Sequence, residues 1–401
     1  MYKQHKTFFE YTHFHHNTFS EKLRTYGKSE DEIERIRMSG YYLPEYDIYG
    51  NGDTSYFLDS FYGGYDHTSR FGFNGGLLDE NEPYGRLSRD NRIVSKIRSI
   101  QDAFEAIEKA TNDLNPEIAK RICFRGECRK HTIRRSIPNP YYSYSDGSEL
   151  LMLPSYWRQF KDSGYMDRPL QAEYRTTLGM SMFSDMILYD GIDVKKLIEY
   201  NYEKYGDYTM SDLEDFPEPE NQELYRRYLT KMDHVLWSNE CVSLEQHYGF
   251  QTTHLDVTFD LPTAIFFALN KFTYLDRNIP SATYTLDDRI DSEPTVFCFL
   301  FPRQDVYYER DMITGYNMFD ATPPLRPLQQ KCSVFRTDAM EINWAAKHVI
   351  LELKLERDFN SKDIPTYDHL FPPPEHDLFY AKLLEQKKRH HDVWKSVIEY
   401  K

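Results

Sequence analysis

A mixed α/β (α+β) fold is the class that the sequence predicts, on three observations. Apolar residues recur at helical spacing through much of the first two-thirds of the chain, for example Leu224, Tyr228, Leu229, Met232 and Leu236. Short continuous apolar runs then take over at 295–301, 333–335 and 349–355, the pattern of buried strands. A hydrophobic share of 40% over 401 residues is enough to pack a real interior, so a disordered chain is excluded.

In chain order, Ser29 with Glu32 makes a capping-box pattern and Gly40 stands where the helix it opens should stop. Residues 41–76 mix tyrosine, glycine and aspartate without period, as in Tyr62-Gly63-Gly64-Tyr65, and read as loops. From Val94 the series Val94, Ile97, Ile100, Phe104 and Ile107 predicts an amphipathic helix that ends near Asn112 to Pro116. Residues 122–125 should be a strand.

Helices return between Asp193 and Tyr248, split by an acidic, proline-containing linker at 212–220, with Gly249 as the last stop. Asp260 can cap a buried helix whose proline, Pro262, falls in the tolerated first turn. Three strands follow, and residues 376–401 read as a charged surface helix. The resulting organisation is an irregular, Tyr/Gly-rich N-terminal segment with a short helix (1–90), a main domain (91–356) and a C-terminal helix and tail (357–401).

The net charge of −15 argues against indiscriminate binding to nucleic acid or membrane surfaces, because the long-range field repels polyanions. Any anion site must be local. Cys123, Cys128, Cys241, Cys298 and Cys332 are an odd set without zinc-like or paired short spacings, which fits a reducing, cytoplasmic location. The N-terminus shows no apolar leader and no segment reaches membrane-spanning length. Walker, dinucleotide-glycine, His-Glu-x-x-His and Gly-x-Ser-x-Gly signatures are missing, and no metal set is expected from His13, His15, His16, His390 and His391.

The one local charge anomaly is Lys120, Arg121, Arg125, Arg129, Lys130, Arg134 and Arg135, with Glu127 the only acid among them. A phosphate-bearing ligand would explain it, since a guanidinium offers a planar fork of donors that a strand holds steady. A solvated basic face beside acidic helices would explain it equally well. Arg125, between Phe124 and Gly126 at a strand end, is the member best placed for function.

Phe124-Arg125-Gly126, Pro154-Ser155-Tyr156-Trp157-Arg158, Gln246-His247-Tyr248-Gly249 and Leu255-Asp256-Val257-Thr258 occur in that order, followed by Arg326, Gln329, Gln330 and Phe335. In this the chain resembles the FRG-domain family, named for the first tripeptide. The resemblance implies an FRG-like domain with a mixed sheet and several flanking helices, ADP-ribosyltransferase-like in kind. Departures accompany it: Thr253 and Val257 stand where the family has arginine and tryptophan, and Cys332 where it has glycine.

What the resemblance implies is transfer of ADP-ribose from NAD, as substrate, to a macromolecule such as RNA or protein, by a toxin or antiviral-defence effector restrained by a neutralising, antitoxin-like partner. Arg125 would hold the pyrophosphate or ribose and Ser155 would orient the nicotinamide ribose. Gln329 or Gln330, or else Asp256, would bond the ribose hydroxyl or steady the oxocarbenium-like sugar. His247 or His254 could deprotonate the acceptor, and Tyr248 could stack on nicotinamide. Each has a structural reading as well: His247 and Tyr248 packing at a helix end, Asp256 tying down a turn, Ser155 capping, the glutamines lying at a strand entry. The competing function is a non-catalytic module that binds a nucleotide, nucleic acid or protein.

Overall fold

The computed structural model describes residues 16–42, 58–59, 93–139, 142–158, 240–250, 254–276, 281–287, 293–301, 306–307, 322–336, 343–389 and 397–401, with isolated positions including Thr252 and Trp394. The architecture is mixed α/β with several sheets. It opens with α1 (His16–Thr25), α2 (Glu30–Met38) and the paired β1 (Tyr41–Tyr42) and β2 (Leu58–Asp59). Next come β3 (Ile93–Ile97), α3 (Ile100–Thr111), α4 (Pro116–Ala119), β4 (Cys123–Glu127), β5 (Thr132–Arg134), β6 (Ser148–Leu150) and α5 (Ser155–Arg158). The chain continues with α6 (Glu240–His247), β7 (His254–Thr258), α7 (Leu261–Leu269), β8 (Asn270–Asp276), β9 (Ser281–Leu286), β10 (Thr295–Phe299) and β11 (Val306–Tyr307). It closes with α8 (Leu325–Gln330), β12 (Cys332–Arg336), a tight helical turn (Trp344–His348), β13 (Val349–Leu355), α9 (Tyr367–Leu370), α10 (Leu378–Arg389) and β14 (Glu399–Tyr400).

Local chemistry explains the boundaries. Ser29 and Glu32 form the expected capping box at α2, and Asp260 accepts from the Thr263 amide at the start of α7, 3.1 Å away. Gly249, with φ +106, turns the chain beyond α6 through a region that L side chains rarely adopt. Residues 349–355 are a strand as the apolar run predicts.

Three expectations are corrected. Val94 and Ile97 belong to a parallel edge strand, β3, rather than to the helix; a second capping box, Ser99 with Asp102, starts the helix at Ile100. Gln329 and Gln330 end a helix, α8, which stops where Lys331 takes a left-handed φ of 47°, and only then does β12 begin. Finally, α10 is not a purely surface helix: Phe379, Tyr380 and Leu383 are buried along one face, and Trp394 is fully buried beyond it. Most of the loop at 41–76, most of the helices expected across 193–239 and the acidic linker lie outside the described residues; Glu199, Tyr202, Glu203, Gln222, Glu223 and Arg226 within that span are helical.

Seven strands form the main sheet in the order β11-β12-β7-β4-β10-β13-β3. Strand alternation sends Phe124, Val296, Cys298 and Leu353 toward α7 and α3, where they pack with Ala103, Leu261, Ala264, Ile265 and Ala268. Cys123, Phe297, Phe299, Leu255 and Val257 face the other way, against Phe19, Leu23, Tyr41, Tyr142, Leu150 and Trp157. The N-terminal helices are therefore one cover of the sheet. Arg135 fastens them: its guanidinium donates to the Ser39 carbonyl at 2.7 Å, the Tyr41 hydroxyl at 3.0 Å and Glu149 at 3.0 Å. Among the described residues, no helix is long and apolar enough to cross a membrane.

Candidate functional site at the parting of two central strands

β4 pairs with β10 at five positions but meets β7 in register only at Phe124 opposite Thr258. Past that point the two strands share no ladder pairing, and the Asp256 carbonyl needs another donor. Arg125 supplies it: Nη1 donates to the Asp256 oxygen at 2.8 Å while Nε donates to Glu127 Oε1 at 2.9 Å. Gly126, between them, faces α7, where a Cβ would fall 1.7 Å from the Ala264 carbonyl oxygen. Only glycine lets the helix lie this close to the strand, so Phe124-Arg125-Gly126 is explained residue by residue.

Three further segments are sewn to this point. The Tyr156 amide donates to the Thr252 carbonyl at 3.1 Å, and the Thr252 amide donates to Ser155 Oγ at 3.3 Å. The Thr252 hydroxyl donates to Gln246 and accepts from the His254 amide. Arg326 Nη1 donates to the His247 carbonyl at 3.3 Å. The segments singled out from the sequence thus form one connected region, although they are spread over some two hundred residues of chain.

The electrostatics centre on five side chains. Burial opposes the Arg125 charge, but Glu127 and then Asp256 outweigh it and hold the guanidinium pKa above its ordinary value. Arg158 is shifted the other way, by desolvation first and by repulsion from Arg125 second, against the pull of Glu127 and Asp256. Arg158 is nevertheless a solvent-exposed residue. Among the described residues the Arg158 guanidinium has no hydrogen-bond partner. Tyr284 of β9 completes the set: burial, then Tyr400 and Asp256, raise its hydroxyl pKa well above the usual tyrosine value, against the opposing pull of Arg125 and Arg158. Its ring belongs to an aromatic wall, stacked 5.0 Å from Phe371 and nearly parallel to Tyr400.

Other sequence-predicted residues have interior positions. Tyr248 is fully buried, its hydroxyl donating to Asp377 at 3.1 Å and its ring packed on Phe379 and Tyr380. His247 and His254 are buried at 7% and 3% exposure. Gln330 is buried with its amide donating to the Leu370 carbonyl and its oxygen accepting from the Cys332 thiol. Gln329 is half-buried on α8.

The basic run dissolves into separate ion pairs: Lys120 with Glu117, Arg134 with Asp146, Arg135 with Glu149, Lys130 with Glu352. Among the described residues no cluster of His, Cys, Asp and Glu is placed to hold a metal ion. Sequence reasoning did not single out Arg158, Glu127 or Tyr284 as site residues. Arg158 closes a recognised block and Glu127 is the lone acid in the basic run, so both carried a signal; Tyr284, in an ordinary alternating strand, carried none. The chain matches no protein-family model, no curated protein and no solved structure.

Proposed function

We propose that the parting of β4 and β7 is a nucleotide site, and that the protein binds NAD there and transfers its ADP-ribose to a macromolecular acceptor. The observation that carries this reading is that Arg158, an exposed residue with no hydrogen-bond partner among the described residues, lies near enough to Arg125 for repulsion to add to desolvation in lowering its pKa. Glu127 and Asp256 offset part of the repulsion between the two, and a pyrophosphate is the anion that a pair of arginine forks fits best.

In this reading Arg158 takes the phosphate oxygens while Arg125, braced by Glu127 and the Asp256 carbonyl, fixes the geometry. The bond between the ribose C1′ and the nicotinamide nitrogen breaks with its electron pair leaving on nicotinamide. The negative charge of Asp256 favours the oxocarbenium-like sugar, and an acceptor nucleophile forms the new bond to C1′ as it gives up its proton. His254, two residues from Asp256 on β7, and His247 are the candidate bases. The aromatic wall that includes Tyr284 offers the flat surface that a base or nicotinamide ring needs. An effector of this kind, acting as a toxin or in antiviral defence, calls for a neutralising partner.

A binding module without turnover is the second reading, favoured by the interior positions of Tyr248, His247 and Gln330. Incubation with NAD labelled in the adenylate part separates the two. Label that remains on RNA or protein, and is lost in Arg125→Lys, supports transfer; nicotinamide release without labelled acceptor points to hydrolysis; bound NAD that is recovered intact supports the module.

A further inference from the structure

We propose that Arg326 is a positioning residue: through the ring of Tyr400 it sets Tyr284 in the aromatic wall that is coupled to Arg125 and Asp256. The effect on NAD rests on the nucleotide reading above; the packing does not. Arg326 is fully buried, and Nη1 donates to the His247 carbonyl while Nε and Nη2 have no hydrogen-bond partner among the described residues. A buried cation left in this way is costly unless something else meets its charge. Ring faces do so here. The guanidinium carbon lies 3.7 Å from the centre of the Tyr380 ring, 4.4 Å from Tyr400, 4.9 Å from Tyr248 and 5.9 Å from Phe371. The attraction of a cation to an aromatic face is strongest where both are desolvated.

Two of these four rings are the ones that flank Tyr284. Phe371 stacks on it at 5.0 Å, Tyr400 lies within 1° of parallel to it at 6.4 Å, and Phe371 and Tyr400 stack on each other at 4.8 Å. Main-chain bonds bring Tyr400 to this place. β14 pairs in parallel with β9, with Tyr400 opposite Ala282; the Lys401 amide donates to the Ala282 carbonyl at 2.9 Å and the Tyr400 amide to the Tyr380 hydroxyl at 3.0 Å. Those bonds fix the backbone of β14 and leave the direction of the Tyr400 ring to its packing, one side of which is the Arg326 cation. Removing the cation frees Tyr400 and Phe371 to repack, and Tyr284 with them.

The test combines nuclear magnetic resonance of the full chain with calorimetric titration of NAD. In wild-type protein labelled at arginine, the Arg326 Nε–H should show Overhauser contacts to the Tyr400 and Tyr380 rings. With ring-labelled tyrosine, the Tyr284 signal is identified by its loss in Tyr284→Phe, and in Arg326→Met it should move. NAD affinity should fall about two- to tenfold in the same variant, the scale of an aromatic contact. Tyr400→Leu should weaken NAD likewise, and Arg326→Met/Tyr400→Leu should bind as Tyr400→Leu does, because both changes act through one ring. Thermal unfolding of each variant checks that it folds, and the wild-type arm needs no variant.

Missing Overhauser contacts in wild-type protein, or an unmoved Tyr284 signal in a folded Arg326→Met, overturns the positioning role. Unchanged NAD affinity in that variant overturns it too. Failure of wild-type protein to bind NAD overturns the nucleotide reading instead, and the Tyr284 signal still decides what Arg326 does.

Discussion

Arg125 Nη1 lies 2.8 Å from the main-chain oxygen of Asp256, 131 residues further along the chain. The bond stands where a backbone N–H would stand if β4 and β7 ran on as partners. A side chain therefore finishes a ladder that the strands leave open; Glu127 is bonded to it, and Arg158 and Tyr284 are electrostatically coupled to it.

Arg125 is consequently structural as well as functional. Arg125→Ala should destabilise the protein by about 3 kcal/mol, since it leaves Glu127 buried and the Asp256 carbonyl without its donor. Much of that loss should return in Arg125→Ala/Glu127→Ala, which removes the stranded charge. Urea unfolding of the two variants checks the coupling; equal destabilisation by the single and double changes would contradict it.

Gly126→Ala tests the packing of α7. Its Cβ would meet backbone, the Ala264 carbonyl, at 1.7 Å, so relief requires the whole helix to move. A loss of at least about 3 kcal/mol is expected, at the upper end for overpacking. A near-normal melting temperature would show that α7 does not lie on β4 in this way.

A half-buried acid and a buried one give opposite pH dependences. The Asp260 carboxyl is pushed up by burial, but Lys331 and Thr263 outweigh this and hold its pKa below the usual value. The stability it contributes is present above the unfolded value of about 3.9 and is lost as pH falls through the lower folded value. Glu245 is 1% exposed with neither oxygen bonded among the described residues, and burial raises its pKa well above the ordinary range. Its protonated form fits the fold, so stability declines as pH rises from about 4.3 toward the raised folded value. Glu245→Gln should remove that decline and stabilise the protein at pH 7 by at least about 1 kcal/mol. Asp260→Asn should flatten the acid limb instead. Unfolding midpoints measured across pH 3–8 distinguish the two.

Much of the fold could be read from local chemistry. Capping at Ser29 and Asp260, the stop at Gly249 and the apolar run at 349–355 each depend on near neighbours in sequence. The errors came from context. Val94 and Ile97 suit a helix or a strand, and only pairing with β13 decides. Lys387, which looks like a surface charge, is 3% exposed because its ammonium group donates to the Val397 carbonyl at 2.7 Å. For the candidate site, Arg125 and Asp256 were legible because they sit in short motifs. Tyr284 was not, because what sets it apart is the wall it joins, built with Phe371 and Tyr400 from far later in the chain.

The central claim is that Arg158 clamps a phosphate of the ligand, and titration of NAD into wild-type protein and Arg158→Gln tests it most directly. The guanidinium makes no hydrogen bond among the described residues and is repelled by Arg125, so its loss should leave folding stability within about 0.5 kcal/mol. NAD affinity should fall roughly ten- to a hundredfold. A folded Arg158→Gln that binds NAD as tightly as the wild type would contradict the account.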